Sequence, residues 1–129
     1  MFEGFTRFDV TRRGVRLHSR IRRHSDDHAP ALVLLHGHPQ THAIWHRIAA
    51  PLAQHFHVVL MDLRGYGDSD KPPSDAQHLP YSKREMALDV LAVMLHHGFG
   101  RFHVLAHDRG ARVAHRLGVD HPHAVERMM

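Results

Sequence analysis

Asp108 is the residue in this chain best placed for covalent chemistry. It lies in Ala106-His107-Asp108-Arg109-Gly110, directly after the apolar run Phe102-His103-Val104-Leu105-Ala106 and directly before a helix-forming stretch. Small residues two before and two after the acid, Ala106 and Gly110, let the backbone turn sharply. The central side chain then projects from a sheet toward the start of the next helix, the geometry of a nucleophile elbow. A carboxylate held there can attack an electrophilic carbon and form an ester that water later cleaves. The helix dipole and free backbone amides favour its negative charge before attack. Aspartate is also an ordinary helix N-cap, and as a cap it needs no chemistry. Two other stretches favour the catalytic role. His36-Gly37-His38-Pro39-Gln40 follows a second apolar run, where this architecture places the backbone amides of an oxyanion hole. Asp62 to Ser69 follows a third.

The 17 histidines raise the question of metal. The close pairs His36/His38, His55/His57, His96/His97 and His121/His123 are scattered over different elements, and no His-Glu-x-x-His or other tight ligand set occurs. His42 and His46, four apart, would share a helix face and could catch an adventitious ion. No metal site is expected.

These groups need a scaffold that brings them together, and the pattern of apolar residues supplies one. Phe5 to Val10 and Val15 to Arg22 are expected to form an antiparallel strand pair around a turn at Arg13-Gly14. Ala31 to Leu35, Phe56 to Leu63 and Phe102 to Ala106 are continuous apolar runs, as in strands buried on both faces of a parallel sheet. Between them, Thr41 caps a helix with Ile44, Trp45, Ile48 and Leu52 at helical spacing, which Pro51 should bend or break. Ser82 caps a second helix, with Met86, Leu88, Val90, Leu91, Met94 and Leu95 on its apolar face, stopped by Gly98 and Gly100. A third helix runs from Ala111 to about Val119. Strand and helix in alternation predict an α/β fold with a mostly parallel sheet, right-handed crossovers and an antiparallel N-terminal strand pair. Functional groups of such sheets gather at the carboxyl ends of the strands.

With 129 residues the chain holds one domain at most. Its 43% hydrophobic content argues against disorder, and no apolar run approaches the roughly 18 residues a membrane span needs. The absence of cysteine excludes a disulfide framework and permits a reducing, cytoplasmic setting. The net charge of +4 includes Arg12, Arg13, Arg16, Arg20, Arg22 and Arg23, but these alternate with Val15, Leu17 and Ile21. That is the pattern of a solvated strand face, and no nucleic-acid partner is expected.

Taken together, His36-Gly37-His38-Pro39-Gln40 with Trp45, Asp62-Leu63-Arg64-Gly65-Tyr66-Gly67-Asp68-Ser69 with Lys71-Pro72, and His107-Asp108-Arg109-Gly110 resemble the α/β-hydrolase superfamily. Within it, Tyr81-Ser82-Lys83-Arg84 and Arg109 after the acid resemble the haloacetate (fluoroacetate) dehalogenases. The resemblance runs from about Phe5 to the C-terminus. It implies that Asp108 displaces halide from the α-carbon of a small haloacid, that Arg109 and Arg112 hold the substrate carboxylate, and that the amides of His38 and Arg109 form the oxyanion hole. It implies no cofactor. Ala106 stands where these elbows often have Gly, and His38 where these dehalogenases usually carry Phe. Epoxide hydrolases share the Asp elbow but favour an aromatic residue after it, so Arg109 argues against that alternative.

The resemblance also implies an acid and a histidine that follow the nucleophile and activate water. His115, Asp120, His121 and His123 are carried off along the last helix, since twelve residues at about 1.5 Å each make roughly 18 Å. Residues 1–129 are therefore expected to form a single incomplete hydrolase domain, not competent for turnover or needing a complementing chain. Val125 to Met129 stand where another strand should begin. Phe102 to Ala106 is the expected free edge of the sheet, prone to self-association.

Overall fold

In the computed structural model, which describes residues 2–129, a tight turn folds the first two strands together. Arg13 and Gly14 both have left-handed backbone, φ 49° and 80°, the pairing that matches strand twist in a two-residue hairpin. Strand β1 (Thr6–Arg12) thus lies antiparallel to β2 (Val15–Arg22). The buried runs become β3 (Ala31–Leu35), β4 (His57–Met61) and β5 (Phe102–Ala106). Adding β6 (Val125–Met128) gives a six-stranded sheet of order β1-β2-β4-β3-β5-β6. The pairs β4-β3, β3-β5 and β5-β6 are parallel, while β2 meets β4 antiparallel. This is the expected α/β architecture.

The period-2 alternation of strands sends successive side chains to opposite faces. Val33, Leu35, Val59 and Met61 face α2 (Lys83–His96) and α3 (Arg109–Asp120), against Met86, Val90, Met94, Val113 and Leu117. Leu32, Leu34, Val58 and Leu60 face the other way, beneath Trp45, Ala49 and Ala53. Each buried Leu or Val side chain contributes about 1.5–3 kcal/mol, so the doubly covered β3 and β4 anchor the loops at their carboxyl ends. No helix among the described residues is long and apolar enough to cross a membrane.

Three expectations need correction. The helix after Thr41 is split: a 3-10 turn, His42–Trp45, is capped by the Thr41 hydroxyl accepting from the Ala43 amide at 3.2 Å, and α1 (Ala49–Leu52) begins afresh. Pro51 lacks an N–H and fits the first turn of a helix but not the interior of one begun at Thr41. Phe102–Ala106 is not an edge of the described sheet, because the chain turns at His121 to Ala124, β6 pairs alongside it, and Met129 exchanges backbone hydrogen bonds with Val104 and Ala106, both 2.9 Å. Arg12 is not on a solvated face. It reaches Asp89 on α2 at 2.9 Å and Glu85 at 3.0 Å, whereas Arg16 is exposed as the alternation predicts.

One imidazole in this frame gives an acid-sensitive contact. The His97 ring stands edge-on to Phe8, centroids 3.9 Å apart, and its Nε2 is buried without a partner among the described residues. Burial, reinforced by the charges of His96 and Arg23, pushes its pKa down from 6.5 to about 4. The unfolded chain therefore binds the proton more readily, and stability falls as pH drops from 6.5 toward about 4. In thermal melts across that window, His97→Phe is expected to lose less stability than the parent chain. An identical pH dependence would refute this role.

Candidate active site

Asp108 sits where β5 ends and α3 begins, with φ 54° and ψ −120°. A residue with a side chain holds such a conformation at a cost of about 1–3 kcal/mol, so its surroundings must impose it. They do so through the His107 amide donating to the Leu35 carbonyl at 3.0 Å and the Gly110 and Ala111 amides donating to His107 and Asp108 at 2.9 and 3.0 Å. A Cβ at Gly110 would be driven into the backbone carbonyls of Leu35 and His36, and one at Gly37 into the Asp108 side chain. The small neighbours thus let β3 and its loop pack directly on the elbow. Gly110→Ala is expected to lower stability by about 1–3 kcal/mol as an overpacked site, measured by urea denaturation. Gly100→Ala, with open space around its Cβ position, serves as the near-neutral control.

Two backbone amides, of His38 and Arg109, meet the Asp108 carboxyl. The His38 amide donates to Asp108 Oδ2 at 3.0 Å, and this bond, with a second from the Arg109 amide, holds the Asp108 carboxyl below its ordinary pKa. Asp108 is exposed and ionised, with Oδ2 on the His38 amide and Oδ1 outside that bond. Among the described residues no imidazole ring is hydrogen-bonded to it.

Tyr66 binds the loops around this centre. Its hydroxyl pairs with His38 Nδ1 at 2.9 Å and accepts from Arg109 Nη1 at 3.3 Å. Arg109 is thereby turned toward the His38 loop. Arg112, three residues on and on the same helix face, is exposed. Lys83, at the start of α2, is a third cation here. Burial and the like charges of Arg109 and Arg112 lower its pKa. Sequence reasoning assigned no role to Tyr66 or Lys83, although both lie inside the motifs it singled out, Tyr66 as the aromatic residue of the glycine loop.

The remaining motif residues position this centre. His36 is fully buried and neutral, its pKa lowered by burial. Its Nδ1–H donates to the Gly37 carbonyl at 2.9 Å while Nε2 accepts from the Leu63 amide at 3.0 Å, so it joins the two loops and has no nitrogen left for catalysis. Asp62, 1% exposed, takes the His42 amide and ring Nδ1 on Oδ1, both at 2.8 Å, and the Asp68 amide on Oδ2 at 3.0 Å. Burial alone would raise its pKa, but these bonds pull it down to about 2. His46 turns back to its own Ala43 carbonyl and does not converge with His42.

Residues 30–129 match the family model described as alpha/beta hydrolase fold, and the chain belongs to that family. A fluoroacetate dehalogenase of Burkholderia sp is 46% identical to it over 97% of this chain and 40% of the relative. A soluble epoxide hydrolase of Corynebacterium sp. (strain C12) is 41% identical over 75% of this chain and 32% of the relative. A crystal structure from Nostoc sp PCC 7120, described as an alpha/beta hydrolase, superposes with TM-score 0.93 at 51% identity, covering 99% of this chain and 43% of the other. The chain thus spans about two fifths of the length of the fluoroacetate dehalogenase it resembles.

Proposed function

We propose that this chain carries the nucleophile, carboxylate clamp and oxyanion hole of a haloacetate dehalogenase. The observation that supports it most is an ionised elbow carboxylate followed, in the first turn of the same helix, by two exposed arginines, Arg109 and Arg112. Cations at a helix N-terminus oppose the dipole, so Arg109 and Arg112 call for an anion. Two guanidinium forks can hold a small carboxylate with its α-carbon in line with Asp108. Asp108 Oδ1 attacks that carbon, the new C–O bond forms as the carbon–halogen bond breaks, and halide leaves with the bonding pair. Oδ2 stays on the His38 amide, with the Arg109 amide at the same carboxyl, as the ester carbonyl oxygen. When water adds to the ester, charge gathers on this same oxygen, where the donors already lie. Collapse restores the Asp108 carboxylate and releases the hydroxyacid. The second step needs a base, and no imidazole contacts Asp108 among the described residues, so this chain is proposed to perform the alkylation and not the hydrolysis. The setting is proposed to be the cytoplasm, which suits a chain with no cysteine.

Charge separates this reaction from epoxide opening, because an epoxide offers the arginines no anion. Bromoacetate should label the chain much faster than bromoacetamide or styrene oxide, read as intact mass against time. Arg112→Ala should slow bromoacetate labelling about 10–100-fold, one charged hydrogen bond of about 1.5–3 kcal/mol, and leave bromoacetamide labelling unchanged. Faster labelling by the epoxide would replace this reading with an epoxide hydrolase-like one.

A further inference from the structure

We propose that His18, His42 and Asp62 form a binding site for one borderline divalent cation such as Zn2+, separate from the elbow. One ring nitrogen of each histidine and one Asp62 oxygen lie within 4.8 Å of one another, and all three residues are buried. They come from different parts of the chain: β2, the 3-10 turn after β3, and the residue that follows β4. None is one of the close histidine pairs, so no ligand spacing shows in the sequence. None is hydrogen-bonded to Asp108, Arg109 or Arg112 among the described residues.

The hydrogen bonds show which atoms are free to ligate. His18 Nδ1 lies 3.0 Å from Asp9 Oδ1. Donating there leaves a lone pair on Nε2, which is buried without a partner among the described residues. A neutral imidazole held through its other nitrogen by a carboxylate is the usual arrangement around a metal-binding histidine. Asp68 Oδ2 stands 4.0 Å from the same Nε2, within reach as a fourth ligand after a small shift. His42 Nδ1 and Asp62 Oδ1 are 2.8 Å apart as a hydrogen bond, and would part by about half an ångström to serve as neighbouring tetrahedral ligands about 2.0–2.1 Å from one ion. Two imidazoles with carboxylates favour zinc-like cations over calcium or magnesium. Arg20 is the competitor: its Nε donates to His42 Nε2 at 2.9 Å. A cation on His42 Nδ1 displaces the proton now shared with Asp62. That proton moves to Nε2 as Arg20 withdraws, or is released. The bound ion would join β2 to the loops after β3 and β4, and so brace the segment that carries Tyr66.

Titration of the whole chain with Zn2+ by calorimetry should show one equivalent tighter than the weak binding of the other histidines. His18→Gln should lose that equivalent, Asp9→Asn should weaken it about 10–100-fold as loss of an outer partner does, and Arg20→Ala should bind more tightly. The unmodified chain gives a test independent of folding. Substoichiometric Co2+ should broaden the imidazole NMR signals of His18 and His42 before any other. Broadening spread over other histidines, or a first equivalent unchanged in folded His18→Gln, would show adventitious surface binding and overturn the proposal.

Discussion

Incubated with bromoacetate, the chain is expected to gain a single carboxymethyl group in its intact mass, and Asp108→Asn is expected to gain none. Two features of the site make the difference nearly all-or-none. The attacking group must be anionic, and an amide oxygen is a far weaker nucleophile than a carboxylate. Asparagine is close in shape and keeps an oxygen for the His38 amide, which now donates to Oδ2, so the fold and the arginine pair should survive the change. The labelled peptide should map to Asp108, with one halide released per chain. The amides of His38 and Arg109 hold the Asp108 pKa down, so the nucleophile stays ionised through mildly acidic pH. Labelling should fail only as pH falls below the ordinary carboxylate range and Asp108 takes up a proton. A label elsewhere, or equal labelling of Asp108→Asn, would remove the nucleophile assignment. Repeated halide release would show that a base for hydrolysis is present in this chain.

The elbow was legible because its signals are local. An apolar run, a small residue, an acid and a glycine describe β5, the turn and α3 without reference to the rest of the chain. β3 and β5 fall on the expected residues for the same reason, since strands buried on both faces leave a continuous apolar run. Arg12 was not legible. Its alternating neighbours suggest solvent, and only the packing of α2 across β1 reveals Asp89 beneath it. The pairing of Asp62 with His42 likewise depends on two loops meeting at the carboxyl ends of β3 and β4. Tyr66 has a role only because His38 and Arg109 meet at its hydroxyl. Local pattern determines elements and backbone turns, whereas side-chain partners across elements depend on sheet order and crossover geometry. The expected free edge shows the same division, because Val125–Met128 could be expected as a strand but its pairing with β5 could not be read from its own residues.

Asp89→Leu is expected to destabilise the fold by about 3–5 kcal/mol, the cost of stranding a buried charge. Asp89 is 1% exposed near the middle of α2. Both its oxygens are used by Arg64, Nε to Oδ2 at 2.7 Å and Nη2 to Oδ1 at 2.8 Å, and Arg12 adds a third bond at 2.9 Å. The Arg64 guanidinium is itself buried and is held firmly protonated by Asp89. Removing the acid leaves the buried Arg64 guanidinium with only the Pro80 carbonyl, while Arg12 keeps Glu85, in a domain whose total stability is of the order of 5–15 kcal/mol. If the loss comes from the stranded charge and not from the missing bonds, an apolar partner should offset it. Asp89→Leu combined with Arg64→Met is therefore expected to be more stable than Asp89→Leu alone, as measured by urea denaturation. The double variant should still be impaired in bromoacetate labelling. Arg64 Nη1 also donates to the Pro80 carbonyl at 2.7 Å, so it pins the segment before α2 to the glycine loop that carries Tyr66. Tyr66 in turn holds Arg109 beside the His38 loop. Stability recovered without labelling rate would separate the two roles of Arg64, as counter-ion of Asp89 and as the anchor that sets Tyr66. Recovery of both would confine it to the first.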